Sequence, residues 1–131
     1  MVTIGAIGDI HARVGDERKL REMFDAFRAD LDVLILPGDL TDSGVADEAQ
    51  LIGSVLADLP CSILAVLGNH DFHSDQHAEV REVLEDHGVI VLDGEGWVSE
   101  NDDLTIGFAG AAGFGGGFRP HNLESFGERH W

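Results

Sequence analysis

LDVLILPGDLTD, residues 31–42, runs from an apolar, strand-like segment (Leu31 to Leu36) into a turn carrying a glycine and an acid, Gly38-Asp39. The same layout recurs where Val2 to Ile7 precedes Gly8-Asp9 and where Ser62 to Leu67 precedes Gly68-Asn69, at even intervals of 30 residues. A strand, crossover helix and parallel strand need about 30 residues, so the spacing predicts three successive parallel strands with an oxygen ligand at the C-terminal tip of each. In an open α/β sheet those tips converge on one crevice, the usual place for a site. The fold class expected is α/β, a mainly parallel sheet with helices on both faces.

Helical patterns fill the intervals. Leu20, Met23, Phe24, Phe27 and Leu31 recur at helical spacing after Gly15-Asp16. Leu51, Ile52, Val55, Leu56 and Leu59 do the same, with Asp47 and Glu48 near the helix start, where the macrodipole favours negative charge, and Pro60 as a stop. A third helix, from about Gln76 to His87, buries Val80, Val83 and Leu84, and Val89 to Leu92 reads as a short fourth strand. Turn residues at Asp93 to Gly96 and Asn101 to Asp103 then set off an antiparallel hairpin around Trp97 and Leu104 to Ala109. Residues 1–110 read as one domain, and 111–131 as a glycine-rich tail whose Phe114, Phe118, Phe126 and Trp131 have no element in which to bury themselves.

The charge balance narrows the function classes. Eight Lys and Arg against 25 Asp and Glu give a formal charge of −17, which repels nucleic acid and anionic membranes. A small phosphorylated substrate stays compatible with that charge if bound cations reverse the local field. No run approaches the roughly 18 apolar residues of a membrane span, and the N-terminus lacks a signal-peptide layout, so the cytoplasm is the expected location. Cys61, the one cysteine, reads as a small buried hydrophobe at the edge of an apolar stretch, with no further role.

The strand-tip residues carry the chemistry. Asp9 and His11 lie two apart, so in extended backbone both point to one side and can bind a divalent ion such as Mn, Fe or Zn. Gly38 permits a sharp turn that leaves Asp39 at the tip. Asp42, a turn later, reads either as a helix N-cap with Ser43 or as a carboxylate orienting an imidazole. Asn69 offers a neutral oxygen to a metal. His70 can protonate a leaving oxygen or stabilise charge developing on phosphate.

These blocks resemble the calcineurin-like metallophosphoesterases, whose pattern runs Asp-x-His, Gly-Asp-x-x-Asp and Gly-Asn-His-(Asp/Glu), met here by Asp9/His11, Gly38/Asp39/Asp42 and Gly68/Asn69/His70/Asp71. The resemblance covers about residues 2 to 110 and implies hydrolysis of a phosphate mono- or diester at a centre of two divalent metal ions. By similarity, Asp9 and His11 bind the first ion, Asp39 bridges both, Asn69 binds the second, and His70, held by Asp42, acts on the substrate. The family's later lone His and Gly-His-x-His blocks are absent from this sequence, so the chain resembles the first half of a four-layer αββα sandwich. The competing expectation is an incomplete half-domain that binds metal weakly or docks on a partner. Self-association through an uncovered sheet face belongs to the same picture. A receiver-type domain with a phosphoryl-accepting aspartate fits less well, because Asp9-Ile10-His11 lacks a second aspartate. Of the remaining histidines, His87 is expected at a helix C-terminus, His73 and His77 in a loop near a helix start, and His121 and His130 in the tail.

Overall fold

Four short apolar runs form the sheet. In the computed structural model, which describes residues 1–27, 31–101 and 104–113, they are β1 (Ile4–Ala6), β2 (Val33–Pro37), β3 (Ser62–Val66) and β4 (Val89–Val91). All pair in parallel, in the order β1-β2-β3-β4, with Ile35 opposite both Ala6 and Leu64 and Ala65 opposite Val91. The crossovers carry α1 (Glu17–Asp25), α2 (Ala46–Leu56) and α3 (His77–Asp86), with one 3₁₀ turn at His70–Phe72. A separate antiparallel pair, β5 (Glu95–Asn101) and β6 (Leu104–Gly110), makes the expected hairpin. The hairpin turn at Asp102-Asp103 and the tail from residue 114, with its aromatics, His121 and His130, lie outside the described residues.

The pleat sorts each strand's side chains into two groups. Leu34, Leu36, Ile63, Ala65, Val89 and Val91 pack against Leu20, Phe24, Ile52, Leu56, Val80 and Leu84 of the three helices. Val33, Ile35, Leu64, Val66 and Ile90 face the other way and meet Trp97 and Phe108 of the hairpin. The fold class stands, but the expected helices on both faces are corrected to one. A strand order that advances one neighbour at a time, through right-handed crossovers, must put every helix on the same side. Fully burying an aromatic or aliphatic side chain such as Phe24 or Leu84 contributes about 1.5–3 kcal/mol, so the helical face dominates the folding energy.

Two element boundaries also differ from the periodicity. β1 is a three-residue edge strand, shorter than the Val2 to Ile7 run, with Ile4 46% exposed because only β2 flanks it. α1 stops at Asp25, and Phe27 and Leu31 reach the core from the connection that follows.

Candidate metal centre

The site is built by lacing two loops together beyond the ends of β1 and β2. Backbone N–H groups of Asp9, His11 and Ala12 donate to the carbonyls of Gly38, Asp39 and Leu40 at 3.3, 3.0 and 2.9 Å, and Asp42 N–H returns to Ala12 O at 3.1 Å. This register turns Asp9, His11 and Asp39 into the left-handed region, with φ of 52°, 48° and 51°. Left-handed backbone costs an L-residue roughly 1–2 kcal/mol, and such outliers cluster where function demands them. Gly68, just beyond the end of β3, completes the arrangement by lacking a side chain, since a Cβ there would strike the Asp39 carboxylate and backbone.

Four side chains meet in the crevice. Asp39 accepts the His70 N–H on Oδ1 at 3.0 Å and presents Oδ2 to His11 Nε2 at 3.9 Å. The His11 and His70 rings stand edge to face with centroids 4.4 Å apart. Ligand atoms of His11, Asp39 and His70 all lie within 4.8 Å of one another, so this triad can hold a metal ion. His11 Nδ1 is buried without a hydrogen-bond partner, 3.8 Å from Asp42 Oδ1. A buried nitrogen left in that state costs free energy; with the acid-imidazole donor set, it marks residues that fit a divalent cation.

Asp42 reaches His70 differently from the expected carboxylate contact. Its main-chain oxygen, at 2.7 Å, accepts from His70 Nδ1; a carbonyl can only accept, so Nδ1 carries the hydrogen and Nε2 is the basic nitrogen of the neutral ring. The Asp42 carboxylate is instead gripped in a fork by Arg13, Nε to Oδ2 at 3.0 Å and Nη2 to Oδ1 at 3.2 Å. The Arg13 hydrogen bond holds the Asp42 carboxyl below its ordinary value, against a smaller opposing effect of desolvation. Nor does Asp42 cap a helix. α2 begins at Ala46 without a side-chain cap, and Glu48 reaches back to the Ser43 N–H at 2.8 Å.

Asp71 ties the tips of β2 and β3 together. Fully buried, it accepts the Thr41 N–H and hydroxyl on Oδ1 at 2.8 and 2.6 Å, and the Gly68 and Leu40 N–H groups on Oδ2 at 2.8 and 3.2 Å. Desolvation pushes its carboxyl up from the ordinary value, although all four donors favour the anion. The sequence alone assigns no role to Asp71 or to Arg13. The only local signal for Arg13 is a lone cation two residues after His11 in an acidic chain.

Asn69 and Asp39 line one open cleft of about 230 Å³, floored by Leu67, Gly68 and Val66 and edged by Gly113. Asp9 lies on the same laced loop, exposed and outside the 4.8 Å triad. His87 caps the end of α3 as expected, bonded through Nδ1 to Val83 O at 2.7 Å. His73 ends the 3₁₀ turn, and His77 opens α3.

A parallel sheet whose strand tips offer clustered acids and imidazoles has the layout of a metallohydrolase site. The family model for calcineurin-like phosphoesterases matches residues 2–129, and the chain belongs to that family. It is 32% identical over 82 residues to a protein of Fibrobacter succinogenes described as a probable cyclic nucleotide phosphodiesterase. That match takes in 54% of this chain and 31% of the relative, so it spans less than a third of the relative's length. Among the described residues, no helix is long and apolar enough to cross a membrane.

Proposed function

We propose that the strand-tip crevice belongs to a metal-dependent phosphoesterase that hydrolyses a phosphate mono- or diester of a small substrate. The observation that carries this reading is the convergence of His11, Asp39 and His70 within 4.8 Å from three separate crossovers, in a chain whose family acts on phosphoesters. Asp9 and His11 would hold one divalent ion, Asp39 would bridge to a second, and Asn69 would give that second ion a neutral oxygen. Bound divalent metal supplies positive charge that polarises the phosphoryl group and makes the attacking water more acidic.

The chain's own residues do the rest. Asp39 stays anchored through Oδ1 while Oδ2 faces His11. His70, oriented by the Asp42 carbonyl through Nδ1–H, presents Nε2 to the leaving oxygen and, in its protonated form, gives a proton there. Arg13 steadies the Asp42 backbone by clamping its carboxylate. For two ions, the protein ligands named here leave coordination positions open, which water and substrate oxygens can fill.

Turnover of p-nitrophenyl phosphate and its bis-ester by the Mn-loaded chain, with and without His70→Ala, tests the reading. Wild type should hydrolyse at least one ester. The variant should lose about 100-fold in kcat while retaining Mn. A chain that binds Mn, Fe or Zn but turns over neither ester contradicts it.

A further inference from the structure

The two ring nitrogens of His11 each face a carboxylate. Nε2 lies 3.9 Å from Asp39 Oδ2, and Nδ1 lies 3.8 Å from Asp42 Oδ1. Both separations exceed the roughly 2.7–3.2 Å of an N–H···O bond, and among the described residues the buried Nδ1 has no hydrogen-bond partner. The two sides differ in what would complete them. Two coordination bonds of about 2.0–2.2 Å can span the gap between Nε2 and Asp39 Oδ2, so a cation fits there. On the other side the carboxylate already has its counter-charge, because Asp42 Oδ1 accepts Arg13 Nη2 at 3.2 Å and Oδ2 accepts Arg13 Nε at 3.0 Å.

A neutral imidazole carries one N–H and one lone pair, and a carboxylate oxygen can accept more than one hydrogen bond. With the hydrogen on Nδ1, a closing movement of about 0.8 Å gives Asp42 Oδ1 an ordinary second hydrogen bond, and the lone pair of Nε2 is left toward Asp39. The opposite tautomer sets a lone pair against Asp42 Oδ1 and puts a hydrogen on the nitrogen facing Asp39, where a cation needs a donor atom. Imidazoles that bind metal nearly always give their other N–H to a carboxylate, a carbonyl or water. The Asp42 main chain serves the neighbouring ring, 4.4 Å away, in the same sense, its oxygen accepting from His70 Nδ1 at 2.7 Å. The family resemblance puts the Asp42 carboxylate on His70; the distances put it beside His11.

We propose that Asp42 is a positioning residue for both histidines. Its main-chain oxygen sets the tautomer of His70, and its carboxylate, tethered by Arg13, accepts His11 Nδ1–H and so makes Nε2 the atom that His11 gives to the metal. The proposal rests on the reading of the crevice as a metal centre, and it adds the side chain that decides which nitrogen of His11 binds.

Zinc alone tests this, with no substrate and no turnover. In the zinc-loaded, isotope-labelled chain, long-range proton–nitrogen NMR spectra of the imidazole rings should show His11 with zinc on Nε2 and a hydrogen on Nδ1 that exchanges slowly with water. Asp42→Ala removes the carboxylate and keeps the main-chain oxygen. It should weaken zinc binding by about 10–100-fold and speed exchange of His11 Nδ1–H, while His70 Nδ1–H keeps its wild-type signal, a split that general loss of structure would not give. Asp42→Asn, which retains an oxygen acceptor, should bind zinc more tightly than Asp42→Ala. Zinc on His11 Nδ1, no zinc at His11, or wild-type affinity in Asp42→Ala overturns the proposal, and the wild-type spectrum decides between the nitrogens even where a variant folds poorly. Zinc held through Nε2 as described, in a chain that hydrolyses no phosphate ester, upholds the positioning role and counts against the phosphoesterase reading instead.

Discussion

Asp39→Asn should abolish metal-dependent turnover, by at least about 100-fold in kcat/KM, while leaving the fold intact. The asymmetry follows from what each oxygen does. Oδ1 accepts the His70 N–H at 3.0 Å, a bond an amide oxygen can also accept. Asparagine tolerates left-handed backbone better than almost any other residue, so the φ of 51° at position 39 is preserved. What changes is the face toward His11, where an anionic oxygen that can bind a cation becomes an NH₂ group that cannot. Even partners that only support metal ligands are worth about 10–100-fold in affinity or activity, and direct loss of a bridging carboxylate should exceed that range. The check is paired: a thermal or urea transition matching wild type, and steady-state rates with saturating Mn. Wild-type turnover in the variant would remove Asp39 from the centre.

Asp71→Asn should be the most damaging substitution to stability around the site, at about 2–3 kcal/mol. Whichever way the amide is flipped, its NH₂ meets donors. Against Oδ1's partners, the Thr41 hydroxyl can rotate to accept, but the Thr41 N–H is left without an acceptor; against Oδ2's partners, both Leu40 and Gly68 N–H groups lose theirs. Each orphaned buried donor costs about 1–3 kcal/mol, partly offset because a neutral amide is easier to bury than a carboxylate. With a urea slope of about 1–3 kcal/mol/M, the midpoint should fall by about 1 M or more. A second signature separates this from generic damage. Burial raises the folded-state pKa of Asp71, so its contribution to stability falls as pH rises from the ordinary carboxylate range through the raised value. The variant should lose that component. An unchanged midpoint would show that the strap between β2 and β3 is dispensable.

The features legible in the sequence were those that a local rule enforces. A strand must end in a residue that can turn, and Gly8, Gly38 and Gly68 advertised the three tips, with the acid or amide next to each. Helical periodicity gave the core positions on α2 and α3, because Ile52, Leu56, Val80 and Leu84 repeat on one stripe and are buried. One-sided helices were not legible, since each crossover unit read alone is compatible with a sheet that grows in either direction. The same holds for Asp71 and Arg13. A carboxylate in a loop looks solvated until Leu40 and Thr41, about thirty residues earlier, are folded over it, and an arginine's reach to Asp42 across 29 positions leaves no periodic trace. The left-handed turn of His11 was hidden too, because that conformation is imposed by the lacing of His11 to Asp39 rather than by any preference of histidine.

Crystals of the chain grown with saturating Mn and measured at the manganese absorption edge give the most direct test. Anomalous peaks should lie among Asp9, His11, Asp39 and Asn69, within about 2–2.5 Å of their donor atoms, and should vanish in Asp39→Asn. Manganese bound only elsewhere, or peaks at the strand tips that persist unchanged in the variant, would contradict a metal centre assembled from these separate crossovers.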